Sequence, residues 1–236
     1  MTDWNDLNQF FVFGHRGIPS QAPENTLLSF RRALESGEIG IELDVHCVEE
    51  QLVVIHDRKV NRTTEGRGFV DQYTLASLRQ LNAGNGEKIP LLTEVLALLE
   101  PHHLINIELK GEGTGKLTGS YFRHNPSQTE QVLVSSFDFQ ELREFGEACP
   151  NVRVGMLSGD LTRTVIDRAS SLSAFSVHLA DRKIKNENIA MLRELGFRVL
   201  VYTVNDLDRA IELKRLGVTG IFTDDAPVVL STQKVV

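Results

Sequence analysis

Residues 39–45 read IGIELDV, and residues 105–110 read INIELK, a second run of the same type. Each is an apolar segment of strand length that ends in charged side chains spaced two residues apart. Because successive side chains of a strand point to opposite faces, Glu42 and Asp44 share one face, and so do Glu108 and Lys110. The two segments therefore predict strands that present three acids and a lysine on equivalent faces.

Apolar runs of this kind alternate with amphipathic helical patterns along most of the chain. The strand candidates are residues 10–13, 39–45, 104–109, 131–136, 152–156, 174–179, 198–203 and 220–223. The helix candidates are residues 25–35, 93–99, 139–148, 161–171, 186–195 and 206–216. Eight strands joined by helical crossovers predict an α/β fold, a closed (β/α)8 TIM barrel in which residues 1–236 form a single domain.

Two segments interrupt the alternation. After the second strand the chain is expected to turn back as a hairpin that ends at His56, and residues 58–88 then form a small polar insertion. Such an insertion lies at the carboxyl ends of the strands, where the catalytic loops of barrels are found. The third crossover, residues 111–130, is polar and holds four glycines. It predicts at most one short helix, over residues 116–122, and hence an open wall beside the site.

The composition excludes several classes of function. The chain has 236 residues, of which 41% are hydrophobic and 24% charged, and its formal net charge is -7. A basic face for nucleic acid is therefore not expected. Two unpaired cysteines, no leader-like start and no long apolar run favour a cytoplasmic protein without stable membrane insertion. The sequence leaves a homo-oligomer open.

Histidines near two of the predicted strand ends suggest acid–base chemistry. His15 and Arg16 lie between two glycines after the first strand, and His56 ends the hairpin that begins near Asp44. Imidazole exists in either protonation state near neutral pH. Two histidines at one barrel mouth can therefore divide the work, one removing a proton from the nucleophile and the other protonating the leaving alkoxide.

The charged residues balance around a phosphodiester and a divalent cation. The three acids Glu42, Asp44 and Glu108 and the diester are offset by the cation together with Arg16 and Lys110. Carboxylate ligands favour Mg²⁺ or Ca²⁺ over zinc. The competing interpretation is a set of surface salt bridges between strand ends.

An ordered series of short motifs extends this pattern through nearly the whole chain. It comprises HRG (15–17), PENT (23–26), ELDV (42–45), HD (56–57), RTT (62–64), IP (89–90), ELK (108–110), SSF (135–137), YTVN (202–205) and GIFTD (220–224). The series strongly resembles the glycerophosphodiester phosphodiesterase family. Any one of these motifs is weak evidence, but the ordered set is specific.

The resemblance implies a role for each candidate residue. His15 and His56 would be the acid–base pair, and Arg16 and Lys110 would contact phosphate. Glu42, Asp44 and Glu108 would ligate one Mg²⁺ or Ca²⁺ ion. Tyr202, where many relatives have tryptophan, would offer an aromatic surface to glycerol. The implied reaction is hydrolysis of glycerophosphodiesters to sn-glycerol 3-phosphate and an alcohol such as choline or ethanolamine.

Two alternatives to this reaction stay open at this point. One keeps the site but acts on lysophospholipids, as a lysophospholipase D does. The other is a non-catalytic barrel that binds a phosphometabolite. The sequence also leaves open the preferred alcohol, the native metal and which histidine is the acid. The nucleophile is equally open, being either water or the 2-hydroxyl of glycerol.

Overall fold

The computed structural model describes Trp4 and residues 9–35 and 40–225. The described residues form nine strands: β1 (Phe11–Gly14), β2 (Gly40–Val48), β3 (Gln51–Val54), β4 (Ile105–Leu109), β5 (Val132–Ser136), β6 (Arg153–Ser158), β7 (Ser176–Ala180), β8 (Arg198–Tyr202) and β9 (Gly220–Thr223). Eight of them are parallel, and β1 pairs with both β2 and β9, which closes the sheet. The predicted (β/α)8 TIM barrel is therefore confirmed. The predicted strand ends lie within three residues of those observed, and residue 39 of the second one is outside the described part of the chain.

Helices cover the outside of the barrel. They are α1 (Leu27–Glu35), α2 (Leu75–Leu78), α3 (Leu92–Leu96), α4 (Thr114–His124), α5 (Phe139–Ala148), α6 (Arg163–Ser171), α7 (Asn186–Glu194) and α8 (Leu207–Arg215), with 3₁₀ turns at Val60–Arg62, Val70–Gln72, Pro126–Gln131 and Asp181–Lys183. Left-handed glycines follow α7 and α8, at Gly196 (φ 86°) and Gly217 (φ 87°), as expected for helix ends. None of the described helices is both long and apolar enough to cross a membrane.

The alternation of side chains along the strands creates two apolar regions. Leu43 and its equivalents on other strands point outward and pack under the helices. Inside the barrel, Phe11, Phe13 and Phe222 are buried with Trp4, whose ring centroid lies 5.1 Å from that of Phe11. Because Trp4 packs against the first residue of β1, this aromatic cluster fills the barrel at the amino-terminal ends of the strands. The opposite end is left for polar side chains.

A tight hairpin joins β2 to β3. Val48 pairs with Gln51, and the two turn residues Glu49 and Glu50 have φ angles of 49° and 58°. Both turn residues are therefore in the left-handed region that two-residue hairpin turns require. The hairpin expected from the sequence forms, although neither turn residue is asparagine or glycine.

The insertion that follows the hairpin has a small apolar core of its own. Its buried members are Val48, Val53, Ile55, Val60, Val70, Leu78, Ala83 and Ile89. They come from both the hairpin and the inserted segment, so the insertion is anchored to β3. Its helical elements are the single turn α2 and the 3₁₀ turns Val60–Arg62 and Val70–Gln72.

The prediction for the third crossover was wrong. This segment contains α4, an eleven-residue helix, and not a short helix beside an open wall. The glycines that suggested a loop allow α4 to approach α5, because a Cβ at Gly119 would lie 2.5 Å from the Cβ of Ala148. The buried carboxylate of Glu141 in α5 accepts hydrogen bonds from the backbone of Gly113 and Gly115, at 2.9 and 2.6 Å. A side chain from a neighbouring helix thus caps the amino terminus of α4.

Candidate active site

Three carboxylates meet inside the barrel near the carboxyl ends of β2 and β4. Asp44 is the register partner of Glu108, and Glu42 lies two residues before Asp44 on the same face. The three residues are only 3%, 1% and 7% exposed for Glu42, Asp44 and Glu108 respectively. One oxygen from each lies within 4.8 Å of the other two. The structure therefore brings together the three acids that the sequence proposed as metal ligands.

Two cations border this acidic cluster. Lys110 Nζ lies 2.5 Å from a carboxylate oxygen of Glu108 and 3.4 Å from one of Asp44. Arg16 Nε lies 3.5 Å from the other oxygen of Asp44, and the backbone N–H of Arg16 donates a hydrogen bond of 2.8 Å to Glu42. Both residues proposed to bind phosphate thus contact the acids directly.

The local charges show that the cluster carries more negative charge than its own cations offset. Burial, with Asp44 and Glu108 as neighbours, holds the pKa of Glu42 well above its usual range. Burial and Asp44 together raise the pKa of Glu108 to about 7. For Asp44, burial alone would raise the pKa, but Lys110 is the main group that brings it below the usual value. Such a cluster is stabilised by further positive charge.

The donor set fits a hard divalent cation. All the candidate ligands are carboxylate oxygens, which Mg²⁺ and Ca²⁺ prefer. Ligand distances of about 2.0–2.6 Å place two oxygens on opposite sides of such an ion roughly 4–5 Å apart. The separation of up to 4.8 Å among the three acids agrees with this span. Glu42, Asp44 and Glu108 could therefore hold one ion without rearrangement of the strands.

Each of the two candidate histidines is held by a carboxylate. His15 Nδ1 lies 2.7 Å from Asp224, and His56 Nδ1 lies 2.6 Å from Asp57. Because Nδ1 is engaged in both cases, Nε2 is the nitrogen that remains for proton transfer. Both histidines line a cavity of about 280 Å³ together with Glu42 and Glu108. The structure thus places the two imidazoles beside the acids.

The hairpin determines where His56 lies. The backbone N–H of Ile55 donates a hydrogen bond of 3.0 Å to the carbonyl of Asp44, so the strand β3 returns directly to the acidic cluster. His46 Nε2 contacts the carbonyl of His56 at 3.2 Å and so supports the main chain at this point. Burial lowers the pKa of His56, even though Asp44 acts in the opposite direction. His56 is therefore a neutral imidazole at neutral pH.

Comparison with known proteins supplies the family. The model of the glycerophosphoryl diester phosphodiesterase family matches residues 15–228. The chain belongs to this family. The matched range contains every candidate residue described above.

Relatives of this phosphodiesterase cover at least nine tenths of its chain. A glycerophosphodiester phosphodiesterase of Caldanaerobacter subterraneus is 34% identical over 93% of this chain and 96% of its own length. One from Bacillus altitudinis is 34% identical over 90% of this chain and 94% of its own. A phosphodiesterase of Oleispira antarctica, solved with its product sn-glycerol-3-phosphate, superimposes with a TM-score of 0.84 at 28% identity and 95% coverage of both chains. Family and relatives together make this chain an enzyme that hydrolyses glycerophosphodiesters.

Tyr202 lines the cavity of this phosphodiesterase, as its candidate role requires. Its hydroxyl donates a hydrogen bond of 3.0 Å to the carbonyl of Ser158, so the ring is fixed at both ends. The ring of Phe137 meets it edge-on, with the centroids 6.0 Å apart. Phe137 is 47% exposed and lies 5.6 Å from Lys110 Nζ. The two rings form an apolar wall beside the charged cluster.

The loop after β1 both caps α1 and contacts the charged cluster. Thr26 supplies the cap, because its hydroxyl oxygen accepts from the backbone N–H of Ser29 at 3.2 Å. Asn25 donates its side-chain amide to Asp44 at 2.9 Å, and Glu24 pairs with Arg16 at 2.9 Å. Asn25 and Glu24 therefore position a proposed metal ligand and a proposed phosphate ligand.

Besides Glu24 and Asn25, three further positioning residues were missed as functional residues, although each stands in a motif that the sequence displays. Asp57 and Asp224 orient the two histidines. Arg62 bridges two carboxylates, since its Nε lies 2.6 Å from Asp57 and its Nη1 lies 2.6 Å from Glu24. The signal was the presence of these residues in the HD, GIFTD and RTT motifs, but sequence spacing alone did not show which groups they would meet.

Proposed function

We propose that this enzyme releases sn-glycerol 3-phosphate and an alcohol from glycerophosphodiesters in a divalent-cation-dependent reaction, with His15 and His56 as the acid–base pair. One observation carries the proposal. Two histidines, each held at Nδ1 by an aspartate, line the same cavity of about 280 Å³ as three clustered acids. The Oleispira antarctica enzyme, whose structure contains sn-glycerol-3-phosphate, supports the choice of product.

The cation would be held by Glu42, Asp44 and Glu108. When bound, it supplies Lewis-acid stabilisation of the negative charge that develops on the phosphate oxygens. The carboxylate donor set supports Mg²⁺ or Ca²⁺ over a softer metal.

Arg16 and Lys110 are proposed to bind the phosphate. Their charges, together with those of a divalent cation, equal the negative charges of the three acids and a phosphodiester. Arg16 is held from both sides, by Glu24 at 2.9 Å and by Asp44 at 3.5 Å, so its guanidinium is oriented before substrate arrives. Preorganised donors of this kind stabilise charge without reorganisation during the reaction.

We assign the general base to His56 and the general acid to His15. Burial keeps His56 neutral near pH 7, which is the form that accepts a proton. Asp57 stabilises the imidazolium that results, and the pKa of Asp57 itself is lowered to about 2, mainly by its hydrogen bond to Arg62. His15, paired with Asp224, then protonates the departing alkoxide.

Turnover by the purified protein tests the proposal. With Mg²⁺ or Ca²⁺ and glycerophosphocholine, stoichiometric release of choline and sn-glycerol 3-phosphate is expected. Binding of glycerophosphocholine without turnover would instead make the chain a non-catalytic phosphometabolite-binding barrel. Lysophosphatidylcholine serves as the comparison substrate, and faster release of choline from it would identify a lysophospholipase D.

A panel of substrates identifies the alcohol that the enzyme prefers as leaving group. Glycerophosphodiesters of choline, ethanolamine, glycerol and inositol, each assayed under Mg²⁺ and then Ca²⁺, give the preferred leaving group and metal. Carrying out the reaction in ¹⁸O water distinguishes the two nucleophiles. Direct attack by water labels the phosphate at once, whereas attack by the 2-hydroxyl first gives an unlabelled cyclic phosphate.

A further inference from the structure

Two uncharged polar side chains lie in the barrel at the floor of the active-site cavity. Asn106 is on β4, two residues before Glu108 on the same face, and pairs in register with Glu42 on β2. His178 is on β7 and is fully buried, and both residues line the cavity. The proposed mechanism uses neither of them.

Each of these side chains is engaged by a serine through one polar atom only. The amide nitrogen of Asn106 donates to the hydroxyl of Ser135 at 3.0 Å, and Nε2 of His178 lies 2.8 Å from the hydroxyl of Ser176. Within the described part of the chain, the carbonyl oxygen Oδ1 of Asn106 and Nδ1 of His178 are buried without a hydrogen-bond partner. Buried polar groups are normally paired, so two such atoms at one cavity indicate a ligand.

The position of the His178 ring is fixed. A side chain at Gly155 would place its Cβ 2.5 Å from Nε2 of His178, so the absence of a side chain there creates the space that the ring occupies. On another side, the ring centroid of Phe222 lies 5.3 Å away. Nδ1 is therefore presented by a rigid group.

The side chains of Asn106 and His178 are themselves uncharged, although Glu42 lies in register beside Asn106. Burial lowers the pKa of His178 to about 3, so its imidazole is uncharged at any pH near neutrality. When the Ser176 hydroxyl donates to Nε2, the proton of the imidazole is on Nδ1. The floor then presents one donor, Nδ1–H, and one acceptor, Oδ1 of Asn106. A neutral hydroxyl, which both donates and accepts, matches this pair, whereas a phosphate or a quaternary ammonium group does not.

We propose that Asn106 and His178 together bind the terminal hydroxyl of the substrate's glycerol and so determine selectivity for glycerol. The inference rests on the proposed function. Arg16, Lys110 and Tyr202 line the same cavity as Asn106 and His178, so a glycerol whose phosphate lies between Arg16 and Lys110 would place its far hydroxyl on this pair. The alcohol on the other side of the phosphate then points toward the opening, where no comparable pair is needed.

The test compares glycerophosphocholine with 2-hydroxypropyl phosphocholine, which lacks only the terminal hydroxyl. This analogue keeps the 2-hydroxyl, so the comparison is valid for either nucleophile. Wild-type enzyme is expected to prefer glycerophosphocholine in kcat/KM by roughly 10- to 100-fold, because loss of the hydroxyl leaves two buried groups unpaired. Equal kcat/KM for the two substrates would overturn the proposal.

Matched variants of the floor separate hydrogen bonding from packing. His178→Gln places its amide near the position of Nε2 and loses the Nδ1 group, whereas His178→Asn retains a polar atom near Nδ1. His178→Gln and Asn106→Leu are expected to lose most of the preference, by a larger fall for glycerophosphocholine than for the analogue. His178→Asn should keep the preference. Equal losses on both substrates in all three variants would show a purely structural role and would refute the assignment.

A binding measurement keeps this inference separate from the proposed function. Calorimetry with sn-glycerol 3-phosphate and with 2-hydroxypropyl phosphate is expected to show weaker binding of the second compound to wild-type protein, and a smaller difference for His178→Gln. If the wild-type protein shows this difference but hydrolyses no glycerophosphodiester, the proposed function fails and the hydroxyl site stands. If it hydrolyses glycerophosphocholine but binds the two compounds equally, only the hydroxyl site fails.

Discussion

The guanidinium of Arg62 donates two hydrogen bonds to the carboxylate of Glu24, at 2.6 and 2.8 Å. This contact joins the insertion to the loop after β1. Glu24 also binds Arg16, and Arg62 also binds Asp57, the partner of His56. A continuous chain of charge-assisted hydrogen bonds therefore connects the proposed phosphate ligand with the proposed general base.

Arg62→Lys keeps the charge but removes the fork that reaches both carboxylates. We expect kcat to fall by about 10- to 100-fold, as is usual when the carboxylate support of a functional histidine is disturbed. KM for glycerophosphocholine should change much less, because the substitution misorients the base and does not remove a phosphate ligand. Arg58→Lys, in the exposed pair with Asp71 of the same insertion, is the control. Equal activity of Arg62→Lys and the wild-type enzyme would show that the chain of contacts is not needed.

Removal of either histidine tests the acid–base pair. His15→Ala and His56→Ala should each reduce kcat by about 10²–10⁴-fold. The control is His102→Ala, because that side chain is 43% exposed and precedes β4 at the other end of the barrel. Near-normal turnover in either active-site variant would refute the pairing.

The leaving group distinguishes the two histidines. A glycerol phosphodiester of p-nitrophenol departs without protonation, so a variant that lacks only the general acid should recover most of its activity on this substrate. We expect such recovery for His15→Ala and not for His56→Ala. The opposite result would exchange the two assignments.

Metal binding should weaken as the pH falls. In the metal-free protein the pKa of Glu108 is about 7, so at pH 6 a cation must displace a proton that is already absent at pH 8. The pKa of Glu108 is about 4.5 in the unfolded chain and about 7 in the folded metal-free protein. The folded metal-free protein therefore loses stability as the pH rises from about 4.5 to 7, and the loss is complete above pH 7. A fixed concentration of Mg²⁺ should therefore raise Tm more at pH 8 than at pH 6.

Glu108→Gln is the matched variant for this measurement. It should weaken the stabilisation by Mg²⁺ and reduce its pH dependence, with the raised pKa of Glu42 accounting for what remains. Chelation should abolish activity in the wild-type enzyme until Mg²⁺ or Ca²⁺ is restored. Full activity in excess chelator would exclude the cation from the reaction.

The hairpin turn offers a prediction about stability. Glu50 has a φ of 58°, a conformation that strains a residue with a side chain, and it is exposed. Glu50→Gly should raise the free energy of unfolding by about 0.5–1 kcal/mol, since relief of the strain exceeds the added flexibility of glycine in the unfolded chain. Glu50→Ala keeps the Cβ and should show no such gain. Chemical denaturation measures both, and equal midpoints for the two variants would contradict the strain argument.

The sequence predicted the barrel because its evidence was local. The apolar runs and helical periodicities lie within single elements, and their ends were predicted to within three residues. Helix α4 was underestimated because its formation depends on distant partners. Its glycines fit against α5, and its amino terminus is capped by Glu141, which lies 28 residues beyond Gly113. Composition alone makes such a segment look like a loop.

The same difference between local patterns and contacts of distant residues applies to the candidate site. Side-chain parity along β2 and β4 was enough to predict that Glu42, Asp44 and Glu108 would come together. The partners of the histidines were not predictable in this way. Asp224 meets His15 across 209 residues, and Arg62 reaches Glu24 across 38. Such meetings depend on how several loops converge after the barrel has closed.

The pairing of His15 with Asp224 has a consequence for biosynthesis. One histidine follows the first strand of the barrel, and its carboxylate partner follows the last. A nascent chain still attached to the ribosome, with β9 not yet released, would lack the orientation of its proton donor although both histidines and all three acids had been made. Hydrolytic activity should therefore appear only once the final strand has been added, and chains that terminate before β9 should be inactive.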